Sequence, residues 1–232
     1  RRVLFRSPRM MTSLRNAARR GASIISFNPF RERALERFQA PQSPVEMITL
    51  SSTTISSKLF QVRVGGDVAA LKGIMKILVE ADEAARAAEQ PEILDWDFIR
   101  GHTVGIEALA DDLKRTQWPD IERRSGLTRE DLEYAAKAYM KSERAIFVYG
   151  MGITQHFRGA NNVQQMANLA LLRGSIGREG AGLCPVRGHS NVQGQRTVGI
   201  SEKPELVPLD RLSELFAFDP PEDTGMTTVD VV

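Results

Sequence analysis

The sequence is poor in the residues that build covalent and metal-held scaffolds. Its 232 residues include one cysteine, Cys184, and three histidines. One cysteine cannot form an internal disulfide bond, and an iron–sulfur cluster takes about four thiolates. No histidine has a partner at zinc-site spacing, so no metal ligand is assigned within this chain. No apolar run approaches the roughly 20 residues of a membrane-spanning helix, so no direct membrane segment is expected.

The sequence also lacks an excess of charge of either sign. The formal net charge is +2 at pH 7. This near balance argues against general binding to nucleic acid or to a membrane surface. The single cysteine fits a reducing compartment, and we expect a cytoplasmic bacterial protein.

Residues 1–7 differ in character from the rest of the sequence. Their sequence, Arg-Arg-Val-Leu-Phe-Arg-Ser, matches the conceptual translation of a common sequencing-adapter oligonucleotide. We expect residues 1–7 to be an assembly artefact and the protein sequence to begin at about Pro8. The alternative is a natural basic tail. In either case these residues carry no information about the fold.

The first part of the chain has the pattern of a parallel α/β unit. A helix over 10–20 and a short strand over 22–27 precede Asn28-Pro29. After 31–57, which we predict to be a surface loop with one short helix at most, a strand over 59–64 leads into Gly65-Gly66-Asp67. Asp67 is placed to cap the next helix. Ligands bind beyond the carboxyl ends of parallel strands, where Asn28 would lie.

The middle of the chain is predicted to be helical. Residues 81–130 are charged and are interrupted by glycine and proline, which suggests a peripheral helical insertion. The residues at 125–128 resemble the start of a helix over 129–141. A strand over 145–149, a glycine turn and a helix at about 161–172 then follow.

Glycine, arginine and amide side chains concentrate between residues 145 and 200. This stretch holds ten of the eighteen glycines and five arginines, against one acid, Glu179. Glycine lets backbone approach a ligand closely, and the arginine fork matches phosphate or carboxylate oxygens. A hydrophobic core needs none of these features. The stretch therefore predicts the wall of a site for a large anionic cofactor.

Several ordered motifs resemble the molybdopterin-dependent oxidoreductases, and most closely their formate dehydrogenase alpha-subunit-like branch. They are Gly-Met-Gly-Ile-Thr-Gln at 150–155, Asn-Leu-Ala-Leu-Leu-Arg-Gly at 168–174, Ile-Gly-Arg at 176–178 and Val-Arg-Gly-His-Ser-Asn-Val-Gln-Gly at 186–194. Asn28-Pro29 and Gly65-Gly66-Asp67 also fall where the family has corresponding segments. The match covers nearly the whole chain from Pro8, and several motifs at compatible spacing are more specific than one glycine motif.

The resemblance implies an α/β fold of the family's central-domain type, with parallel sheets flanked by helices. It implies an α/β part on the guanosine side of the cofactor over 8–80, a helical segment over 81–143, pterin-binding loops over 144–203 and an incomplete tail over 204–232. The cofactor would be molybdopterin guanine dinucleotide with molybdenum or tungsten. A 4Fe-4S cluster is expected in a missing N-terminal part, so this fragment alone is expected to be inactive.

The resemblance also assigns the site residues. Asp67 would accept the ring N–H and the exocyclic amine of guanine. The full set of expected cofactor-binding residues is Asn28, Pro29, Gly66, Asp67, Gly150, Gly152, Thr154, Gln155, Arg173, Gly174, Arg178, Gly188, His189, Asn191, Gln193 and Gly194. Simple readings remain open for two of them, because Asp67 is suited to helix capping and Gly174 to ending a helix.

Arg187 is the predicted catalytic residue. In formate dehydrogenase-like relatives, the arginine of the Val-Arg-Gly motif lies beside the metal and orients a small anionic substrate. Many relatives carry Gln where this sequence has His189, which puts formate itself in doubt as the substrate. An electron-transfer subunit or other acceptor would be the partner. The competing hypothesis is a free-standing α/β nucleotide-binding module without redox activity.

Overall fold

The computed structural model describes residues 8–186, 188–189, 191–201, 203, 205, 207–221, 225–226 and 228–231. The chain forms two compact units, a first that ends at Val186 and a second that follows it. The predicted Arg187 and also Ser190 lie outside the described residues.

The first unit contains short strands and helices, with five consecutive helices between its fourth and fifth strands. Its elements in chain order are α1 (Pro8–Arg19), β1 (Ile25–Phe27), α2 (Arg33–Glu36), β2 (Arg37–Phe38), α3 (Pro44–Thr49), β3 (Thr53–Thr54), β4 (Lys58–Phe60), α4 (Asp67–Ala87), α5 (Trp96–His102), α6 (Ile106–Arg115), α7 (Trp118–Ser125), α8 (Arg129–Lys141), β5 (Ile146–Tyr149), α9 (Met151–Thr154), α10 (Gly159–Leu171) and β6 (Gly182–Pro185).

Parallel strand pairs form two of the sheets. Strand β1 pairs with β4, from Ile25 opposite Lys58 to Phe27 opposite Phe60. Strand β5 pairs with β6 in the same sense, and β2 pairs with β3 antiparallel. The predicted α/β class with parallel sheets is confirmed. Because the paired strands are parallel, the segments that follow β1 and β4 leave from the same edge.

Helix α4 lies at the centre of the hydrophobic core. Its middle is buried on nearly all sides, including Ile74, Met75, Leu78 and Val79. Helices α6, α7, α8 and α10 contact it. The approach is close at Gly73, where an added Cβ would lie 2.6 Å from Cδ1 of Leu132. The apolar middle of α4 is thus enclosed by other helices on most of its surface.

The helical segment after residue 80 packs into the core and is not peripheral. The boundary predicted there falls inside α4, which continues to Ala87. The following helices supply fully buried residues to the same core, among them Leu113, Ile121 and Leu132. Charged outer faces made these helices look peripheral in the sequence, although their apolar faces cover α4.

Residues 31–57 hold more structure than the predicted loop, because a buried carboxylate organises them. Glu46 in α3 is 4% exposed. Its carboxylate accepts a hydrogen bond from the Ala40 backbone N–H at 2.7 Å and forms ion pairs with Arg15 and Arg19, both at 2.8 Å. The Ala40 hydrogen bond, followed by the arginine charges, holds the pKa of Glu46 below its usual range. These contacts join α1 to α3.

The start predicted for the helix over 129–141 is confirmed. The side chain of Thr128 accepts from the Asp131 backbone N–H at 3.2 Å. In return, the Asp131 carboxylate accepts from the Thr128 backbone N–H, which completes a capping box.

The second unit contains short helices. They are α11 (Val192–Thr197), α12 (Leu209–Phe216) and α13 (Thr228–Val231). Across the described parts of both units, no helix has the length and apolar character needed to cross a membrane.

Candidate functional site

The carboxyl edge of the β1–β4 pair places Asn28 and Pro29 beside the segment that leads to Asp67. The Asn28 backbone N–H donates to the Phe60 carbonyl at 3.0 Å. The Asn28 side-chain amide donates to the Phe30 carbonyl at 2.7 Å, and Gln61 reaches the Pro29 carbonyl at 3.4 Å. The loop after β1 is therefore fastened to the exit of β4, at the edge where parallel α/β proteins bind ligands.

Because Gly66 has no side chain, the backbone that leads from β4 to α4 can lie close to the end of α7. A Cβ on Gly66 would lie 2.5 Å from the Arg124 carbonyl oxygen and 2.9 Å from both the Arg63 carbonyl oxygen and the Ser125 Cα. All three are backbone atoms, so none can rotate away. The structure thus gives Gly66 a packing role, and its cofactor contact stays a prediction.

Gly66→Ala is expected to destabilise the protein by about 1–3 kcal/mol, the usual range for overpacking. The control is Gly101→Ala in α5, where an added Cβ meets nothing within 4 Å. Alanine there should be neutral or stabilising by up to about 1 kcal/mol. Urea unfolding of both variants measures the difference. Equal stability of the two variants would contradict the close approach at Gly66.

Asp67 is the first residue of α4 and does not occupy the capping position. That position belongs to Gly66, so the capping role expected for Asp67 is not its role here. The Asp67 side chain is 17% exposed. Burial raises the pKa of this carboxyl, although its hydrogen bond with its own backbone N–H and the neighbouring His156 oppose the shift. Asp67 is therefore a desolvated carboxylate with few donors around it.

The segment that follows the glycine turn after β5 brings a histidine to this carboxylate. Gly150 lies beyond the strand, and Gly152 and Thr154 belong to the short helix α9. The Gln155 backbone N–H donates to the Met151 carbonyl at 2.8 Å. The next residue, His156, brings its Nε2 to 4.0 Å from Oδ2 of Asp67. The structure thus brings two separately predicted segments together.

Asn162 joins this turn to α10. It is fully buried on the face of the helix that also carries Met166 and Leu169. Its Nδ2 donates to the Ile153 carbonyl at 2.9 Å and lies 2.6 Å from His156 Nε2. Asn162 was not among the predicted site residues. The signal in the sequence was an asparagine at an otherwise apolar position of an amphipathic helix.

The other predicted arginines lie at the opposite end of α10. The 13 residues of α10, at about 1.5 Å each, separate the two ends by about 20 Å. Arg173 donates to the carbonyls of Ile93 at 2.8 Å and Ser142 at 3.1 Å. Arg178 donates to the Glu143 carbonyl at 3.1 Å and pairs with Asp95 at 3.0 Å. Both guanidinium groups have protein partners, and their cofactor contacts stay predictions.

Gly174 lies between these arginines in a left-handed conformation, with φ +55°. A Cβ there would overlap the Asp95 carboxylate. The Gly174 backbone N–H donates to the Leu171 carbonyl at 3.1 Å, which fits the helix-ending role. Beside this turn, a cavity of about 420 Å³ opens; it is lined by Glu92, Ile93, Leu94, Asp95, Trp96, Asp97, Arg173 and Arg178.

The predicted site residues of the second unit lie around its first helix. The Asn191 side chain caps α11 by accepting from the Gly194 backbone N–H at 3.1 Å. The Gln193 carbonyl accepts from Thr197 at 2.9 Å. Gly188 is half-buried and His189 is exposed. Their predicted cofactor contacts are not tested within this unit.

Candidate metal ligands are sparse. Among the described residues, no three His, Cys, Asp or Glu side chains lie together as a metal site would require. Cys184 is half-buried in β6, opposite Val148 of β5.

Comparison with known proteins supports one family. A family model for molybdopterin oxidoreductases matches residues 7–214. Protein YdeP of Escherichia coli K12 is 54% identical over 222 residues, which are 96% of this chain and 29% of YdeP. The uncharacterized oxidoreductase Rv2900c of Mycobacterium tuberculosis is 36% identical over 96% of this chain and 28% of its own length.

More distant relatives extend the comparison. The alpha subunit of an F420-dependent formate dehydrogenase from Methanocaldococcus jannaschii is 29% identical over 83% of this chain and 24% of that subunit. Among solved structures, acetylene hydratase from Pelobacter acetylenicus superimposes with a TM-score of 0.58 at 16% identity, over 74% of this chain and 20% of that one. The chain thus spans less than a third of the length of these relatives, and the structural likeness concerns the fold alone.

Proposed function

The chain belongs to the molybdopterin oxidoreductase family, and on that premise we propose that it is the cofactor-binding core of a longer, formate dehydrogenase-like enzyme that uses molybdopterin guanine dinucleotide. The observation that carries this proposal is the desolvated Asp67 carboxylate, which lies 4.0 Å from His156, two residues beyond the short helix that follows the glycine turn. Fold alone does not assign a reaction, since the same architecture serves a hydratase.

The Asp67 carboxylate fits the edge of guanine. Burial raises the pKa of this carboxyl, because the hydrogen bond with its own backbone N–H and the neighbouring His156 only partly oppose the loss of solvation. A ligand that supplies two parallel N–H groups would remove this penalty, and charge-assisted hydrogen bonds of this kind are short and favourable. Guanine presents its ring N–H and exocyclic amine side by side, whereas adenine presents an acceptor beside its amine.

The neighbouring segments would hold the remainder of the cofactor. Gly150, Gly152, Thr154 and Gln155 would approach its phosphates, with Asn28 and Pro29 bordering the guanosine end. When bound, the pterin-held molybdenum or tungsten supplies two-electron redox chemistry. The chain's own residues bind the cofactor, orient it and exclude water from it. We propose that Arg173 and Arg178 act indirectly, by holding the turn at Gly174 through their carbonyl and carboxylate partners.

The rest of the proposal concerns the longer enzyme. Arg187 would orient a small anionic substrate, because a guanidinium remains protonated and offers a planar fork to a carboxylate. The residues Gly188, His189, Asn191, Gln193 and Gly194 would line the pterin side. A 4Fe-4S cluster outside this chain would pass electrons to an acceptor, and the enzyme would operate in the bacterial cytoplasm.

Nucleotide selectivity tests the guanosine site. The full 232-residue chain is titrated calorimetrically with GMP, IMP and AMP at neutral pH. IMP lacks the exocyclic amine and loses one hydrogen bond to the carboxylate, so it should bind roughly tenfold more weakly than GMP. AMP offers the wrong donor pattern and should bind roughly a hundredfold more weakly. Equal affinities for GMP and AMP would refute guanine recognition.

A further inference from the structure

The hydrogen bonds around Asn162 determine where the proton on His156 sits. Asn162 Nδ2 lies 2.9 Å from the Ile153 carbonyl oxygen, which can only accept. Placing the Asn162 oxygen there instead would set two acceptors against each other. The amide orientation is therefore fixed with its NH₂ group toward both Ile153 and His156.

With the amide fixed, its second N–H points to Nε2 of His156 at 2.6 Å. This nitrogen must accept, so a neutral imidazole carries its proton on Nδ1. The Arg158 backbone N–H also points to Nδ1, at 3.4 Å, which is 0.8 Å longer than the Asn162 contact. The shorter contact decides between the two ring nitrogens, because a neutral imidazole accepts at only one of them.

The orientation of Asn162 leaves an unpaired group. Within the described part of the chain, Asn162 Oδ1 is buried with no hydrogen-bond partner. Leaving a buried acceptor unpaired is unfavourable, and such groups recur at functional sites. The reverse orientation would bury two unpaired N–H donors in its place, so the arrangement with one unpaired acceptor is retained.

The accepting nitrogen of His156 is also the one nearest Asp67, at 4.0 Å from Oδ2. An N–H at that position would be able to turn toward the carboxylate and occupy it. We propose that Asn162 is a positioning residue which, by donating to His156 Nε2, prevents the imidazole from donating to Asp67 and leaves that carboxylate open to the two N–H groups of a guanine base. This inference rests on the proposed guanosine site.

The tautomer of His156 is measured first, and no ligand is needed. The full chain is labelled with ¹⁵N-histidine, and the His156 signals are identified by their loss in His156→Phe. In the wild type at neutral pH, the proton is expected on Nδ1. In Asn162→Asp, a side chain of the same shape that only accepts, Nε2 should carry a proton. A wild-type ring with its proton on Nε2 would overturn the proposal.

A second-site variant separates positioning from simple structural support. Asn162→Ala should weaken GMP binding roughly tenfold, because the released imidazole can donate to Asp67. In Asn162→Ala with His156→Phe, the ring cannot donate, and affinity should return to within about twofold of His156→Phe alone. If the double variant binds as weakly as Asn162→Ala, Asn162 only supports the turn and the proposal fails.

The His156 tautomer and the GMP affinity distinguish a failure of the positioning role from a failure of the guanosine site. A wild-type chain that does not bind GMP would refute the guanosine site, whereas the tautomer of His156 is read without any nucleotide. Unchanged GMP affinity in Asn162→Ala would overturn the positioning role and leave the guanosine site in place. If Asn162→Ala does not fold, the wild-type tautomer and the Asn162→Asp comparison still decide the proposal.

Discussion

Asp67→Asn should make the unliganded protein more stable at neutral pH while weakening its binding of GMP. Burial raises the pKa of the Asp67 carboxyl above its ordinary value of 3.8. The folded state therefore holds this proton more tightly than the unfolded state, and stability falls as pH rises from the unfolded pKa through the folded pKa. Asparagine has nearly the same shape and carries no charge, so the variant avoids this loss.

The weaker GMP binding expected for Asp67→Asn follows from hydrogen-bond chemistry. A carboxylate accepts both N–H groups of guanine, whereas asparagine accepts one and opposes the other with its own NH₂. Losing one charge-assisted hydrogen bond and adding a mismatched donor is expected to weaken GMP binding roughly tenfold to a hundredfold. Calorimetric titration at pH 7 measures this change.

Thermal unfolding across a pH series measures the difference in stability between Asp67→Asn and the wild type. The advantage of Asp67→Asn over the wild type should be present at pH 7 and should disappear at pH values below the unfolded pKa, where both side chains are neutral. The control is Asp97→Asn, because the Asp97 side chain is fully exposed and should change neither property. A destabilised Asp67→Asn would show that the interactions of the charge with the start of α4 outweigh its desolvation.

Asp82→Ala should be among the most destabilising single changes in this chain. Asp82 lies within α4 and is 1% exposed. It accepts from the backbone N–H groups of Ile93 at 2.8 Å and Leu94 at 2.9 Å, and from Trp96 Nε1 at 2.9 Å. Alanine would leave these donors without their acceptor, at about 1–3 kcal/mol for each one that water does not reach.

We expect a total loss of about 3–5 kcal/mol for this variant, comparable to breaking a buried ion pair. Asp97→Ala, on the adjoining helix α5, is the matched control and should stay within about 0.5 kcal/mol of the wild type. Chemical unfolding of both variants is the measurement. A loss below about 1 kcal/mol in Asp82→Ala would mean that water replaces the carboxylate and that the segment is not held by it.

The Asp82 contacts extend to the turn at Gly174. The segment that Asp82 holds provides the Ile93 carbonyl to Arg173 and the Asp95 carboxylate to Arg178. Replacing Asp82 in α4 should therefore also weaken the contacts of Arg173 and Arg178 that hold the turn after α10. The two arginines lie 80 and 83 residues from their partners in sequence, which is why local motifs did not reveal the connection.

Local patterns predicted most of the elements that flank the site. The strand before Asn28, the long helix after Gly66, the capped helix at Thr128 and the strand before Gly150 all follow from short-range rules of periodicity and turn chemistry. The parallel pairing of β1 with β4 also agreed with the predicted class, because strands separated by long connections favour parallel sheets.

Burial and long-range pairing were not predictable in the same way. The charged residues after residue 80 indicated a peripheral insertion, yet their helices enclose α4 because each turns an apolar face inward. The burial of Glu46 and Asp82 depends on backbone N–H groups that donate to their carboxylates, and no local pattern indicates these contacts. In the site, Asp67 and His156 meet only because α4 and α10 pack together, which no spacing along the chain encodes.

Helix α10 fixes both the distance between Asn162 and Arg173 and their relative rotation about the helix axis. Each residue of an α-helix advances the axis by about 1.5 Å and turns it by about 100°. Losing or gaining one residue between Asn162 and Arg173 would thus rotate one end against the other and turn either the amide or the guanidinium away from its partners. Substitutions along the outer face leave this phase intact, so α10 can vary in composition while its length is held constant.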